Sequence, residues 1–510
     1  MITTRNTVIE VKVQGKREIV NPFEAELYGY FRRKDGKKYV IPGFYDGDNM
    51  WKIRFSDAEE GEWYYKIVSK VVDFFGETEG KIIVKGENKN TTEQIFTKGT
   101  HFVNRDGESI FLLGFECNFL FSLVASPNGH AKLDILINNI KEAGFNQVQV
   151  NTYAYDYSFR QGRTRENDYG PAYINLWEER DGRKVYNIDY FRNFDYMIEK
   201  LNANGIYVHL YLRVYNKFVL WDENGSFEDD LFYYQFISRY QAYPNIIWNL
   251  TKEGYFEGDK EYLYRVASKV KGWDAYHHLC TIHDDLEFAL NPKYAHTIDF
   301  LTLQQHEQWP FAIAFYSTIS GKPVVGGETG VESPKIERVR RYPAERVCEI
   351  AYETIMSGGY YQYYWAYAAW DVIEYDTKPK GFEYMRRLRD FFEEFDLSKF
   401  TIHPERLVWS GQALDDGKST LLIYVEPAKH MPGFVNREGQ SMLNLSRYGK
   451  IESVETFGVY SGRREPATSE RLHVFTPEPE RGFTKQKHEG VKVLHSYSNE
   501  PTMFIFRYSK

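Results

Sequence analysis

Apolar and polar positions alternate with a period of two through the first part of the chain. Val8-Ile9-Glu10-Val11-Lys12-Val13, Trp51-Lys52-Ile53-Arg54-Phe55 and Trp63-Tyr64-Tyr65-Lys66-Ile67-Val68 read as half-buried strands, with turns at Lys34-Asp35-Gly36-Lys37 and Asp46-Gly47-Asp48-Asn49. Short strands at this spacing predict a small immunoglobulin-like sandwich over residues 1–95. From about residue 105 the rhythm changes to strand, loop, helix, repeated. Candidate strands are Ile110–Gly114, Gln147–Asn151, Tyr207–Leu212, Ile246–Asn249, Leu279–Ile282, Phe300–Leu303, Pro323–Gly326 and Gly359–Tyr364. Helical periodicity lies between most of them, at Lys132–Ala143, Tyr190–Ala203, Glu261–Lys271 and Ala344–Ser357, with Phe382–Phe395 as the closing helix. Gly144, Gly205 and Gly321 stand where helices stop. Asn291-Pro292-Lys293-Tyr294 offers only a stub of helix to the fifth unit. After Leu397 short strands return, as in Ser419–Val425, Ile451–Phe457 and Met503–Tyr508. The predicted fold is α/β: a (β/α)8 TIM barrel over 96–396, flanked by β-sandwich domains at 1–95 and 397–510.

Length agrees with this division, since 510 residues at about 150 per domain suggest three. A net charge of -8 with interspersed signs argues against a nucleic-acid partner. No run approaches the roughly 18 apolar residues of a membrane span, and the start Met1–Val8 has no apolar leader, so a soluble, cytoplasmic protein is expected. Cys117, Cys280 and Cys348 are far apart and without CxxC spacing, which argues against a disulfide framework or zinc site. Tyr, Phe and Trp make up 17% of the chain, a content that sugar-stacking surfaces and an aromatic-rich core explain alike. A homo-oligomer is left open.

Catalytic groups of such barrels stand at the C-terminal ends of the strands. The fourth strand runs Pro244-Asn245-Ile246-Ile247-Trp248-Asn249-Leu250-Thr251-Lys252-Glu253, and the seventh Pro323-Val324-Val325-Gly326-Gly327-Glu328. Each ends a buried run on a carboxylate, and the two strands face each other across the mouth. Two opposed carboxyls are what glycoside hydrolysis needs, one to protonate the leaving oxygen and one to attack or to activate water. The same geometry nominates Trp365 as a stacking floor, His283 and His306 as partners of hydroxyls or of a glutamate, and Glu116, Asn118, Tyr153, Tyr155, Asp156, Arg213 and Tyr215 as cleft walls. Glu332, four residues past Glu328, lies further along the loop. With no HxH on the first strand, a metal site is not expected, and no GxGxxG or Walker sequence implies a nucleotide or any other cofactor.

On Pro244–Glu253, Pro323–Glu328 and Gly358-Gly359-Tyr360-Tyr361-Gln362-Tyr363-Tyr364-Trp365, residues of about 95–395 resemble the apiosidase-like barrels, relatives of glycoside hydrolase clan A. The resemblance implies Glu253 as acid/base and Glu328 as nucleophile of a retaining enzyme, with a carbohydrate substrate. Two departures bear on the substrate. Lys252 precedes Glu253 where clan A has Asn, and Gly114-Phe115-Glu116-Cys117-Asn118 stands where relatives carry an Asp-Thr-Ala-Trp run. A cation beside Glu253 lowers the pKa of a general acid unless Lys252 turns away, or else it serves an acidic sugar. The long loop Tyr153–Tyr186 predicts a pocket and exo action on short oligosaccharides. A non-catalytic carbohydrate-binding protein on a degenerate barrel is the rival reading.

Overall fold

In the computed structural model eight parallel strands stand near every position the apolar runs mark: Leu113–Glu116, Gln147–Asn151, Tyr207–Val214, Ile246–Lys252, Cys280–Thr281, Leu301–Leu303, Val324–Gly326 and Tyr360–Trp365. The structure describes residues 1–154, 174–180, 183–217, 219–304, 309–335, 340–370, 372–402, 411–427, 439–446, 448–474, 491–497 and 499–509. Seven pairings run in order from the fifth strand through the fourth, third, second, first, eighth and seventh to the sixth, and a parallel bridge from His283 to Thr302 links the two ends. Strands buried on both faces carry unbroken apolar runs, which is why Ile246–Lys252 is buried at every position.

Helices cover the outside. Ile188–Ala203, Phe227–Tyr240 and Lys260–Trp273 start at Asn187, Ser226 and Asp259, each of whose side chains accepts a first-turn N–H. Gly144, Gly205 and Gly321 all take positive φ, as expected of helix stops. The fifth unit keeps only the short helix Leu286–Leu290 and a single 3-10 turn.

Period-two alternation sorts the barrel interior into layers. At the N-terminal end Leu112, Tyr207, Ile247, Leu279, Phe300, Val325 and Tyr360 form an apolar plug with Ile95 and Phe102. Above it the inward side chains turn polar. Tyr211 donates to Gln149 at 2.8 Å, Asn249 and His209 bond at 2.8 Å, and Thr281 and Thr302 at 3.1 Å. Burial together with Lys252 pushes His209 down to about 3, so it is a neutral member of this network.

The flanking segments are sheet pairs. Before the barrel, a five-stranded and a four-stranded sheet enclose Val11, Leu27, Phe31, Trp51, Ile53 and Trp63. After it, a six-stranded and a three-stranded sheet enclose Leu421, Ile423, Leu443, Leu494, Phe504 and Phe506. The first pair is tied to the barrel through buried charge: Arg54 and Arg239 both grip Asp195. Among the described residues no helix is long and apolar enough to cross a membrane, and the three cysteines are free and buried.

Candidate active site

The polar interior leads up to a buried triad of charges. Lys252 Nζ donates to Glu116 Oε1 at 2.8 Å, lies 3.8 Å from Glu328 Oε2, and reaches the Tyr364 hydroxyl at 3.5 Å. The ammonium also sits 5.1 Å from the centre of the Tyr211 ring. Strict alternation would send Lys252 outward beside Ile246, Trp248 and Leu250. Its side chain instead turns into the barrel, where two carboxylates await it. Burial disfavours that charge, but Glu116 and Glu328 outweigh burial and keep the lysine above its ordinary value. Burial lifts both partners in turn. Glu116 is held up to about 7, and Glu328 is raised with Lys252 pulling the other way. Metal-holding groups of three or more His, Cys, Asp or Glu do not occur among the described residues.

Glu253 is held separately. It takes a left-handed backbone at φ 55°, uncommon for a non-glycine residue and a mark of strain held by its surroundings. Asn216 Nδ2 donates to its Oε1 at 2.6 Å, the Tyr255 hydroxyl to its Oε2 at 3.0 Å, and Gln304 Nε2 to Oε1 at 3.4 Å. The turn is pinned from behind by the fifth strand: Glu253 N–H donates to His283 Nδ1 at 3.5 Å and Gly254 N–H to the His283 carbonyl at 2.7 Å. His283 thus bonds the backbone of this turn through both its ring and its carbonyl. Beside Glu253, Tyr255 and Phe256 expose 49% and 60% of their surface, open aromatic faces among the described residues.

Glu328 ends the seventh strand with its side chain 13% exposed. Gly327 before it is required by packing, since a Cβ there would lie 2.4 Å from Thr302 Cγ2 and 3.0 Å from the His283 ring. Glu332 has a different task. It accepts from the Tyr363 hydroxyl and, at 3.0 Å, from the N–H of Gly381 in the first turn of helix Lys380–Phe392.

Arg213, Trp365 and Glu116 stand elsewhere than expected. Arg213 does not line the cleft: it pairs with Asp229 at 2.7 Å and donates to Asn224 and the Asp222 carbonyl, outside the barrel, because a buried guanidinium needs that acid. Trp365 follows the alternation of its strand outward into the main core and shows only 7% of its surface, while Tyr364 faces Lys252. Tyr153 donates to Asn175 and packs edge-on against Trp177. Glu116 belongs to the interior, paired with Lys252. Asn118 is fully buried at the end of the first strand with both amide atoms unpartnered, as are those of Asn151 beside it. His306, Tyr155 and Asp156 lie outside the described residues. Missed at the level of sequence were Asn216, Tyr255, Gln304 and Asp284, the last a carboxyl that burial lifts to about 7. Each stands within three residues of a nominated position, which was the available signal.

A family model described as "Apiosidase-like, catalytic domain" matches residues 97–412, and one described as a domain of unknown function matches 4–70. Among solved structures, a putative glycoside hydrolase from Bacteroides vulgatus superposes with a TM-score of 0.73 at 17% identity, covering 99% of both chains. A family 5 glycoside hydrolase from the same organism gives 0.58 at 15% identity, over 81% of this chain and 94% of that one. A third structure, titled only a glycoside hydrolase, gives 0.58 at 16% identity, over 82% and 97%. At such identities the likeness is one of fold. No curated protein matches the sequence.

Proposed function

The chain belongs to the apiosidase-like catalytic family and is a glycoside hydrolase, and on that premise we propose that it is a retaining enzyme using Glu328 as nucleophile and Glu253 as acid/base. The observation that carries this reading is the contrast between the two carboxyls. Glu328, beside a buried cation, has the setting of an anionic nucleophile. Glu253, held by neutral donors, is free of any direct ion pair in its bonds to Asn216, Tyr255 and Gln304. In this scheme Glu328 attacks the anomeric carbon while Glu253 protonates the departing oxygen. Glu253 then takes a proton from the water that releases the sugar from Glu328.

The substrate is a glycoside or short oligosaccharide cut from its end, a reading that rests on the length of the loop after the second strand. Proton NMR of the first-formed product, on a panel of aryl glycosides and plant-derived oligosaccharides, tests the mechanism. Retention of the anomeric configuration supports it. Inversion would assign one carboxylate to activating water and overturn the nucleophile.

Tyr255 and Phe256 supply the stacking surface that Trp365 does not. Stacked rings are worth about 0.5–1.5 kcal/mol, so Phe256→Ala is expected to raise KM about five-fold with kcat retained. Initial-rate kinetics check this, and an unchanged KM removes the platform from the account.

A further inference from the structure

Lys252 and Glu116 are 1% and 0% exposed, so neither has room to touch a sugar. They nonetheless face the carboxylate assigned to attack. We infer that this pair are positioning residues of the reaction: one ammonium, shared between two carboxylates, holds Glu328 charged, and Glu116 sets how much of that cation Glu328 receives. The inference rests on the reading of Glu328 as nucleophile.

The geometry is unequal sharing. Lys252 Nζ makes a full hydrogen bond to Glu116 at 2.8 Å and stops 3.8 Å short of Glu328. Buried opposite charges at such distances move a carboxyl by about 1–3 pH units. The other groups facing this site are Tyr211 and His209 from the third strand, Glu253 from the fourth, Asp284 beyond the fifth and Tyr364 from the eighth, with Lys217 and Arg340 acting on Glu328 from the loops. His209 is neutral and the tyrosines are held protonated, so among the described residues the nearby titrating or charged groups are the three glutamates, Asp284, Lys252, Lys217 and Arg340.

The directions follow. A nucleophile must be ionised, so the acid limb of kcat/KM tracks Glu328. Without Lys252, burial and the neighbouring glutamates raise Glu328 further, and the limb moves to higher pH. Without the Glu116 carboxyl the ammonium loses its nearer acceptor and is freed for Glu328, so the limb moves to lower pH. A merely structural pair would lower rates without moving the limb in opposite senses.

The test is the pH profile of kcat/KM for wild type, Lys252→Met, Glu116→Gln and Lys252→Arg, on the aryl glycoside that wild type cleaves. Expected are an upward shift of about 1 pH unit or more for Lys252→Met, a downward shift for Glu116→Gln, and partial return toward wild type for Lys252→Arg. The double variant Lys252→Met/Glu116→Gln leaves no unpaired carboxylate at position 116 and stands in if the single one fails to fold. Alongside, glutamate labelled with 13C at the side-chain carboxyl is titrated by NMR without substrate, the Glu328 signal being the one missing from Glu328→Gln. If limb and signal stay put in folded variants, the inference is overturned. If Glu328→Gln stays active, the nucleophile assignment falls instead, and the NMR titration alone decides whether Lys252 governs Glu328.

Discussion

Glu328→Gln leaves a folded protein whose kcat is reduced by about 10^4-fold or more, the scale on which loss of a covalent nucleophile is felt. The substitution keeps the side chain's shape and removes its charge. Lys252 retains its 2.8 Å bond to Glu116, so no buried cation is orphaned, and the thermal unfolding transition should stay near that of wild type. Glu253→Gln has a different signature. Loss of a general acid costs about 10^2–10^4-fold, but the cost depends on how much help the leaving group needs. A nitrophenolate departs nearly unaided, so attack by Glu328 survives and the glycosyl-enzyme builds up, because no base activates water. Added azide, which needs no base, should then restore turnover and release a glycosyl azide. Measuring both variants on a nitrophenyl and an alkyl glycoside separates the two roles. Should Glu328→Gln turn over at near-wild-type rates, or should the leaving group leave Glu253→Gln unaffected, the division of labour is wrong.

The barrel was legible because parallel strands covered on both faces write continuous apolar runs, and because glycine marks the ends of helices by conformational necessity. The first strand shows where that signal stops. Its apolar run begins at Ile110, yet Leu112 belongs to the plug beneath the barrel and pairing continues to Glu116, a carboxylate that no apolar run announces. The positions of Glu253 and Glu328 followed from strand ends alone. What surrounds them did not, since Asn216, Tyr255 and Gln304 reach Glu253 from three separate loops whose approach is set by packing. Period-two counting, applied strictly to Tyr360–Trp365, favours Tyr364 over Trp365 as the inward ring. The same counting fails at Lys252 and Arg213. Long charged side chains at a strand end go where their counter-charges are, Glu116 inside for one and Asp229 outside for the other.

The leading sandwich is fastened to the barrel by the same rule, and that junction carries the second large effect. Asp195 on helix Ile188–Ala203 receives Arg54 from the sandwich at 2.6 Å and Arg239 from the barrel at 2.7 Å, both arginines being 1% exposed. Burial alone would raise this carboxyl, but Arg239 and Arg54 hold it well below the usual range. Asp195→Asn leaves two buried guanidiniums short of a partner. Breaking a buried pair costs about 3–5 kcal/mol, and the lower figure of about 3 kcal/mol is expected here because Glu10 and Asp46 remain, at 3.2 and 2.5 Å. A depressed carboxyl contributes stability that is complete above its unfolded value near 3.9 and lost as pH falls below it. Urea unfolding of both proteins should therefore show the full gap at pH 7, a narrowing gap below about pH 4, and near coincidence once Asp195 is protonated in wild type as well. A gap that persists unchanged into acid would place the loss in packing at the junction and not in the charge of Asp195.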